Sequence, residues 1–231
     1  MRLFRFAFVL WSTVGLLAAA DNRLDAVFAR IDKAAAVFKG LKADLKMTAY
    51  TAVISETSIQ SGTVVVKSPK PHDLKMLVNF TEPEPRKVRL EGNKLEVFNP
   101  KANVLQVYDL SGKHKAVVEQ FFRLAFGTSS RDLKEGYTVS YGAPETLSGK
   151  ATQRIELIPK SKDLLAMYPK FELWVADDTG IALQQKMYQP GGDYSMLTYS
   201  NMEINPNLPD SALNPNLPKG YATEHPLGSG K

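Results

Sequence analysis

From Leu24 the apolar positions run Leu24, Val27, Phe28, Ile31, Ala34, Ala35, Phe38 and Leu41. Steps of three and four put them on one face of a helix. Asp21 or Asn22 is placed to cap its start, and Lys39-Gly40 is a stop signal. The pattern then changes period. Leu45, Met47, Ala49, Thr51 and Val53 alternate with more polar neighbours, as in a half-buried strand. Gly62 heads a second strand, Thr63 to Lys67, and Leu74, Met76, Val78 and Phe80 alternate in a third. After Pro83 and Pro85, the runs Lys87 to Glu91 and Lys94 to Asn99 flank Gly92-Asn93, a hairpin signal.

Further strands are predicted over Val104 to Asp109, Tyr137 to Gly142, Thr152 to Ile158, Phe171 to Asp177, Ile181 to Tyr188 and Tyr194 to Ile204. Asp177-Asp178-Thr179-Gly180 and Pro190-Gly191-Gly192-Asp193 read as turns. Helical spacing returns once, from His114 to Phe126, through Val117, Val118, Phe121, Phe122 and Ala125. About eleven strands with so few helices predict an antiparallel meander rather than βαβ units. A sheet that large must curl or split, and a curled sheet has a concave face. Two amphipathic helices are then available to cover it. An incomplete filling leaves an apolar cavity, for which Met is a suitable lining. Met47, Met76, Met187, Met196 and Met202 all fall in predicted strands. Ordinary core packing accounts for the same pattern.

The first residues follow another logic. Arg2 and Arg5 precede an apolar run from Phe6 to Leu17, and Ala18-Ala19-Ala20 offers a cleavage site before Asp21. This is the layout of a secretory signal peptide, 1–20, since the apolar core is shorter than the ~20 residues of a membrane span. The expected mature domain covers 21–204, followed by a Pro-rich strap and tail, 205–231, in which Asn-Pro-Asn-Leu-Pro occurs twice. A soluble, exported, monomeric chain is expected.

Composition narrows the chemistry. The 231 residues contain no Cys, so disulfides, thiolate catalysis and Cys-held metals are excluded. A net charge of +5 is too slight to point to nucleic acid. His72, His114 and His225 form no ligand-spaced pair. No phosphate-binding loop, dinucleotide fingerprint, nucleophile elbow or zinc-protease motif occurs. Asp177-Asp178 reads as a hairpin turn, and Glu82 and Glu84 alternate with prolines in a stiff connection. Neither catalytic residues, a metal nor a cofactor is expected. An exported hydrolase using Glu156 or Asp177 stays as a remote alternative.

The segments "GTVVVKSPKPHDLKM", "FTEPEPRKVRLEGNKLEVFNPKANVLQVYDL", "FELWVADDTGIALQQKMY" and "YSNMEINPNLPDSALNPNLPKGY" occur in this order after the opening helix. Their order and spacing resemble the outer-membrane lipoprotein carrier family, the periplasmic lipoprotein-sorting chaperones of the LolA type. Many members place Arg before the first Pro, where this chain has Ser68. The resemblance implies a half-open, strongly curved antiparallel β-barrel with two or three helices over its concave face. It further implies an apolar cavity for acyl chains of lipoproteins or related membrane lipids. Cargo would come from an inner-membrane donor complex and pass to an outer-membrane acceptor. The expected cavity residues are Met47, Val64, Val66, Leu74, Met76, Val78, Phe80, Leu173 and Met187, and the lid residues are Phe28, Ile31, Phe38, Phe121 and Phe122. A lipid- or protein-sensing module on the same scaffold is the alternative function.

Overall fold

The computed structural model describes residues 14–70, 73–110, 124 and 126–227, with side chains from residue 22 onward. Helix α1, Val14–Val37, leads into a long hairpin of β1, Gly40–Thr51, and β2, Glu56–Lys70. Strands β3, Asp73–Glu82, β4, Arg86–Glu91, β5, Lys94–Asn99, and β6, Val104–Asp109, continue the meander. After the short helix α2, Ser130–Gly136, come β7, Tyr137–Leu147, and β8, Lys150–Pro159. Helix α3, Lys162–Met167, precedes β9, Lys170–Ala176, β10, Ala182–Tyr188, and β11, Tyr194–Ile204. A last strand, β12, Ala222–Glu224, lies in the C-terminal strap.

All twelve strands form one strongly curved open sheet in the order β12-β6-β5-β4-β3-β2-β1-β11-β10-β9-β8-β7. The expected half-open antiparallel architecture is present. Only β12 departs from it, running parallel to β6 at the sheet's edge. It is one strand beyond the eleven the pattern predicts. Three residues with no apolar alternation gave no sequence signal, and the pairing depends on the strap being led there by tertiary contacts.

Other boundaries moved for physical reasons. Helix α1 begins before Asp21 and ends at Val37, so Gly40 is the first residue of β1 rather than a helix stop. A Cβ there would run into the carbonyl oxygen of Val66. Gly62 sits in the middle of β2, not at its head, because a Cβ at that position would strike the Asn79 carbonyl on β3. The absent side chain lets the two strands approach at the irregularity between Ser61 and Gly62. The predicted helix from His114 to Phe126 lies almost wholly outside the described residues. Helices α2 and α3 were missed because each is too short for a periodic stripe. Both are instead marked by serine caps, Ser129 and Ser161.

The concave face carries two adjoining cores. One joins Val27, Phe28 and Ile31 of α1 to inward residues of β7 to β10, among them Ile155, Leu157, Phe171 and Leu173. The other lies on β1 to β4 and β11 and includes Leu41, Leu45, Val64, Val66, Met76, Val78 and Tyr199. Phe126 belongs to the second core, stacking on Phe38 at 6.4 Å between centroids and meeting Tyr199 edge-on at 4.9 Å. Gly180, in the β9–β10 turn, fits closely under α1. Its φ is +68°, and a Cβ would collide with the main chain of Arg30. Arg30 also reaches the Asp177 carboxylate at 3.3 Å in the same turn.

The strap works on the opposite, convex side. A short turn, Asp210–Leu213, buries Leu213, and Asp210 accepts a 2.7 Å hydrogen bond from Lys67 Nζ on β2. Lys87 donates to the carbonyl of Pro215, and Tyr221 packs edge-on against Phe98 at 5.9 Å. The strap thereby covers an apolar strip that would otherwise be an exposed sheet face.

Candidate functional site

The second core is incompletely filled. A cavity of about 220 Å³ remains between β1–β4 on one side and β10–β11 on the other. The sheet's register explains why these residues meet. Arg86 pairs with Phe80, Phe80 with Gly62, Gly62 with Leu45, and Leu45 with Tyr199. This cross-strand row spans five strands, and the curvature turns its two ends towards each other over the cavity. A second row, Gln60, Met47, Leu197 and Gln185, lies beside it. Tyr168, just after α3, and Phe126 complete the lining from outside the sheet.

The walls are apolar with a few polar groups. Gln185 is almost wholly buried and donates to the sulfur of Met187 at 3.3 Å. Tyr199 is also buried, which pushes its phenol well above the usual range and keeps it neutral. Arg86 lies with its guanidinium carbon 4.9 Å from the Phe80 ring centroid, and its Nη2 donates to Gln60 Oε1 at 3.0 Å.

Six of the nine expected cavity residues line this space: Met47, Val64, Met76, Val78, Phe80 and Met187. Three do not. Val66 is fully buried in solid core one turn of the pleat away, and Leu74 packs half-buried against the same cluster. Leu173 belongs to the α1 core and borders a separate void of about 20 Å³, shared with Ile31 and Phe38. Among the expected lid residues, Phe28 and Ile31 are packed in that core and touch no part of the cavity of about 220 Å³. Phe38 reaches the region only through Phe126. Phe121 and Phe122 lie outside the described residues. Helix α1 therefore seals the β7–β10 half of the sheet, not the cavity.

Sequence reading missed Arg86, Tyr168, Gln185, Leu197 and Tyr199. Arg86 stands one residue before the predicted start of its strand, in the Pro-rich connection. Leu197 and Tyr199 could have been found by continuing the alternation of β11 in phase with Leu45 and Met47. Gln185 gave no signal, since a lone amide in a strand reads as solvent-facing. Ser68, at the place of the family's Arg, donates its main-chain N–H to the Lys39 carbonyl at 2.8 Å and its hydroxyl to that of Lys70.

No group of three or more His, Asp or Glu suited to a metal exists among the described residues, and no described helix is long and apolar enough to cross a membrane. Asp177 forms its predicted turn and is tied to Arg30 and Gln153. Glu156 shares Arg154 and Lys170 with Glu172 on the convex face.

No protein-family model matches the chain. It is 27% identical over 205 residues to an outer-membrane lipoprotein carrier protein of Cupriavidus pinatubonensis, covering 88% of this chain and 86% of that protein. Its fold is similar to that of an uncharacterized conserved protein of Thermus thermophilus, with a TM-score of 0.56 at 12% identity, covering 88% of this chain and 99% of the other. A LolA superfamily protein of Nitrosomonas europaea aligns at a TM-score of 0.40 and 16% identity, covering 82% and 96%. Along most of its length, this chain is similar in sequence to an outer-membrane lipoprotein carrier protein.

Proposed function

We propose that the protein is a periplasmic carrier that binds acyl chains of lipoproteins, or of related membrane lipids, and ferries them from inner to outer membrane. On this reading residues 1–20 are removed on export and the mature chain acts as a monomer. An inner-membrane donor complex loads it and an outer-membrane acceptor unloads it. It makes and breaks no covalent bond.

The observation that carries the reading is the cavity: about 220 Å³, on the concave face, with mainly aliphatic, aromatic and Met walls. Each buried methylene of an acyl chain is worth about 0.8 kcal/mol, so lipid does not cross water unaided. The volume lies below the roughly 300–1,000 Å³ of small-molecule pockets. It suits part of one chain, and a larger cargo requires the walls to part. Met47, Met76 and Met187 give those walls adaptable surface.

The test is a photo-reactive residue at Met76 in the mature protein, offered an acylated lipoprotein and its unacylated mutant. Crosslinking to the acylated form alone is expected, followed by loss of the adduct's precursor to acceptor vesicles. Equal crosslinking to both forms replaces the carrier with a protein-sensing module.

A further inference from the structure

We infer that the cavity takes an acyl chain whose head carries an oxyanion, a carboxylate or a phosphate, and that Arg86 selects it. The inference rests on the acyl-chain reading above and narrows the cargo within it to the related membrane lipids, because an acyl chain attached to a protein is held by a neutral ester or amide.

Arg86 has the sole formal charge among the described residues lining the cavity. Its surroundings hold it in place without neutralising it. The Phe80 ring supports one face of the guanidinium at 4.9 Å, and the neutral Gln60 amide accepts from Nη2. Among the described residues no carboxylate lies within ion-pair distance of it. Other arginines of the sheet are differently served. Arg89 meets Glu96 at 2.6 Å, and Arg154 meets Glu172 and Glu145 at 3.0 Å each.

The Nε of Arg86 is buried and has no acceptor among the described residues. A long side chain that merely extends to water keeps its N–H groups hydrated. A buried, undonated Nε beside an apolar cavity is not explained that way. A ligand oxygen would supply the missing acceptor. Guanidinium stays protonated and offers neighbouring N–H donors in one plane, matched to carboxylate or phosphate. Arg86 is fixed at the start of β4, directly opposite Phe80, so an oxyanion beside it leaves an attached chain among Val78, Val88 and Met47. Neutral ester or amide heads satisfy the donor without using the charge.

The mature protein is titrated with dodecanoate, dodecyl phosphate and neutral methyl dodecanoate, each displacing a fluorescent apolar probe. The same titrations are made with Arg86→Gln and Arg86→Lys. At least one anion is expected to bind about tenfold or more tightly than the ester, since hydrogen bonds to charged groups are the stronger ones. The carboxylate-to-phosphate ratio distinguishes a fatty-acid head from a phospholipid-like one. Arg86→Gln should abolish the preference, and a thermal melt of the variant beside wild type reports whether the fold is intact. Arg86→Lys should keep part of it. Equal affinity for all three ligands, or a preference that survives Arg86→Gln, overturns the inference while leaving the acyl-chain reading in place. Failure of every ligand to bind overturns both.

Discussion

Asp32 on α1 accepts two hydrogen bonds from one residue of another helix: Ser130 N–H donates to Oδ1 at 2.7 Å, and the Ser130 hydroxyl to Oδ2 at 2.6 Å. The contact ties α1 to the first turn of α2, which otherwise carries its own capping box between Ser129 and Asp132. It spans 98 residues of sequence and fixes the helix that seals one half of the sheet.

Asp32→Ala removes both acceptors. The expected loss is about 1–2 kcal/mol of stability, with Asp32→Asn costing less because one oxygen remains. Urea denaturation of the two variants beside the wild type measures it. Binding of an acyl probe in the cavity of about 220 Å³ should be unchanged in the folded protein, because α1 contributes no residue to its lining.

Phe28 and Met47 should separate core from cavity. Phe28 is 5% exposed and packed in the α1 core. Phe28→Ala is expected to cost about 3–5 kcal/mol, and Phe28→Asp to prevent folding by leaving a charge unpaired. Met47 faces the cavity. Met47→Trp should fill it, lowering acyl-probe affinity about tenfold or more, with a stability change within about 1.5 kcal/mol. Thermal melts and probe titrations on the same samples decide between these outcomes. A stable Phe28→Asp protein that has lost binding would restore the lid role to Phe28.

Glu172 should shape the acid limb of stability. Burial alone would raise its carboxyl, but hydrogen bonds from Lys170 and Tyr188, with the charges of Lys170 and Arg154, outweigh burial and hold it below the usual range. A depressed folded pKa gives stability that is complete above the unfolded value, about 4.3. That stability is lost as pH falls through the lower folded value. Glu172→Gln should therefore flatten the decline of the urea midpoint over this window, relative to wild type. The same contact acts on its partner. Burial, then the bond to Glu172, pushes the Tyr188 phenol up to about 12. Its contribution is complete below the unfolded value near 10 and is lost as pH rises through about 12. An alkaline absorbance titration of wild type against Tyr188→Phe reads that ionisation directly.

Local pattern was enough for the sheet itself. Alternation in Leu74, Met76, Val78 and Phe80, and Gly92-Asn93 between two strands, depend only on period and turn chemistry, and β3 to β6 lie where these put them. Alternation also fixed which side chains face inward, so Met47, Val64 and Met76 were legible as one face. It could not say which inward residues meet solid core and which meet empty space. Val66 and Val64 are two positions apart on the same face of one strand, yet one lies between Leu41 and Met76 in solid core and the other borders the cavity. That difference is set by curvature, by the packing of α1 over β7–β10 and by Phe126, all contacts between residues distant in sequence. The same holds for Arg86. Its charge is visible in the sequence, but its position over Phe80, beside Gln60 and without a carboxylate among the described residues, exists only once three strands are side by side. Period and turn chemistry act over a few residues and determine elements and faces; closing of the sheet brings together residues more than a hundred positions apart, and it alone decides where the cavity lies and which charge faces it.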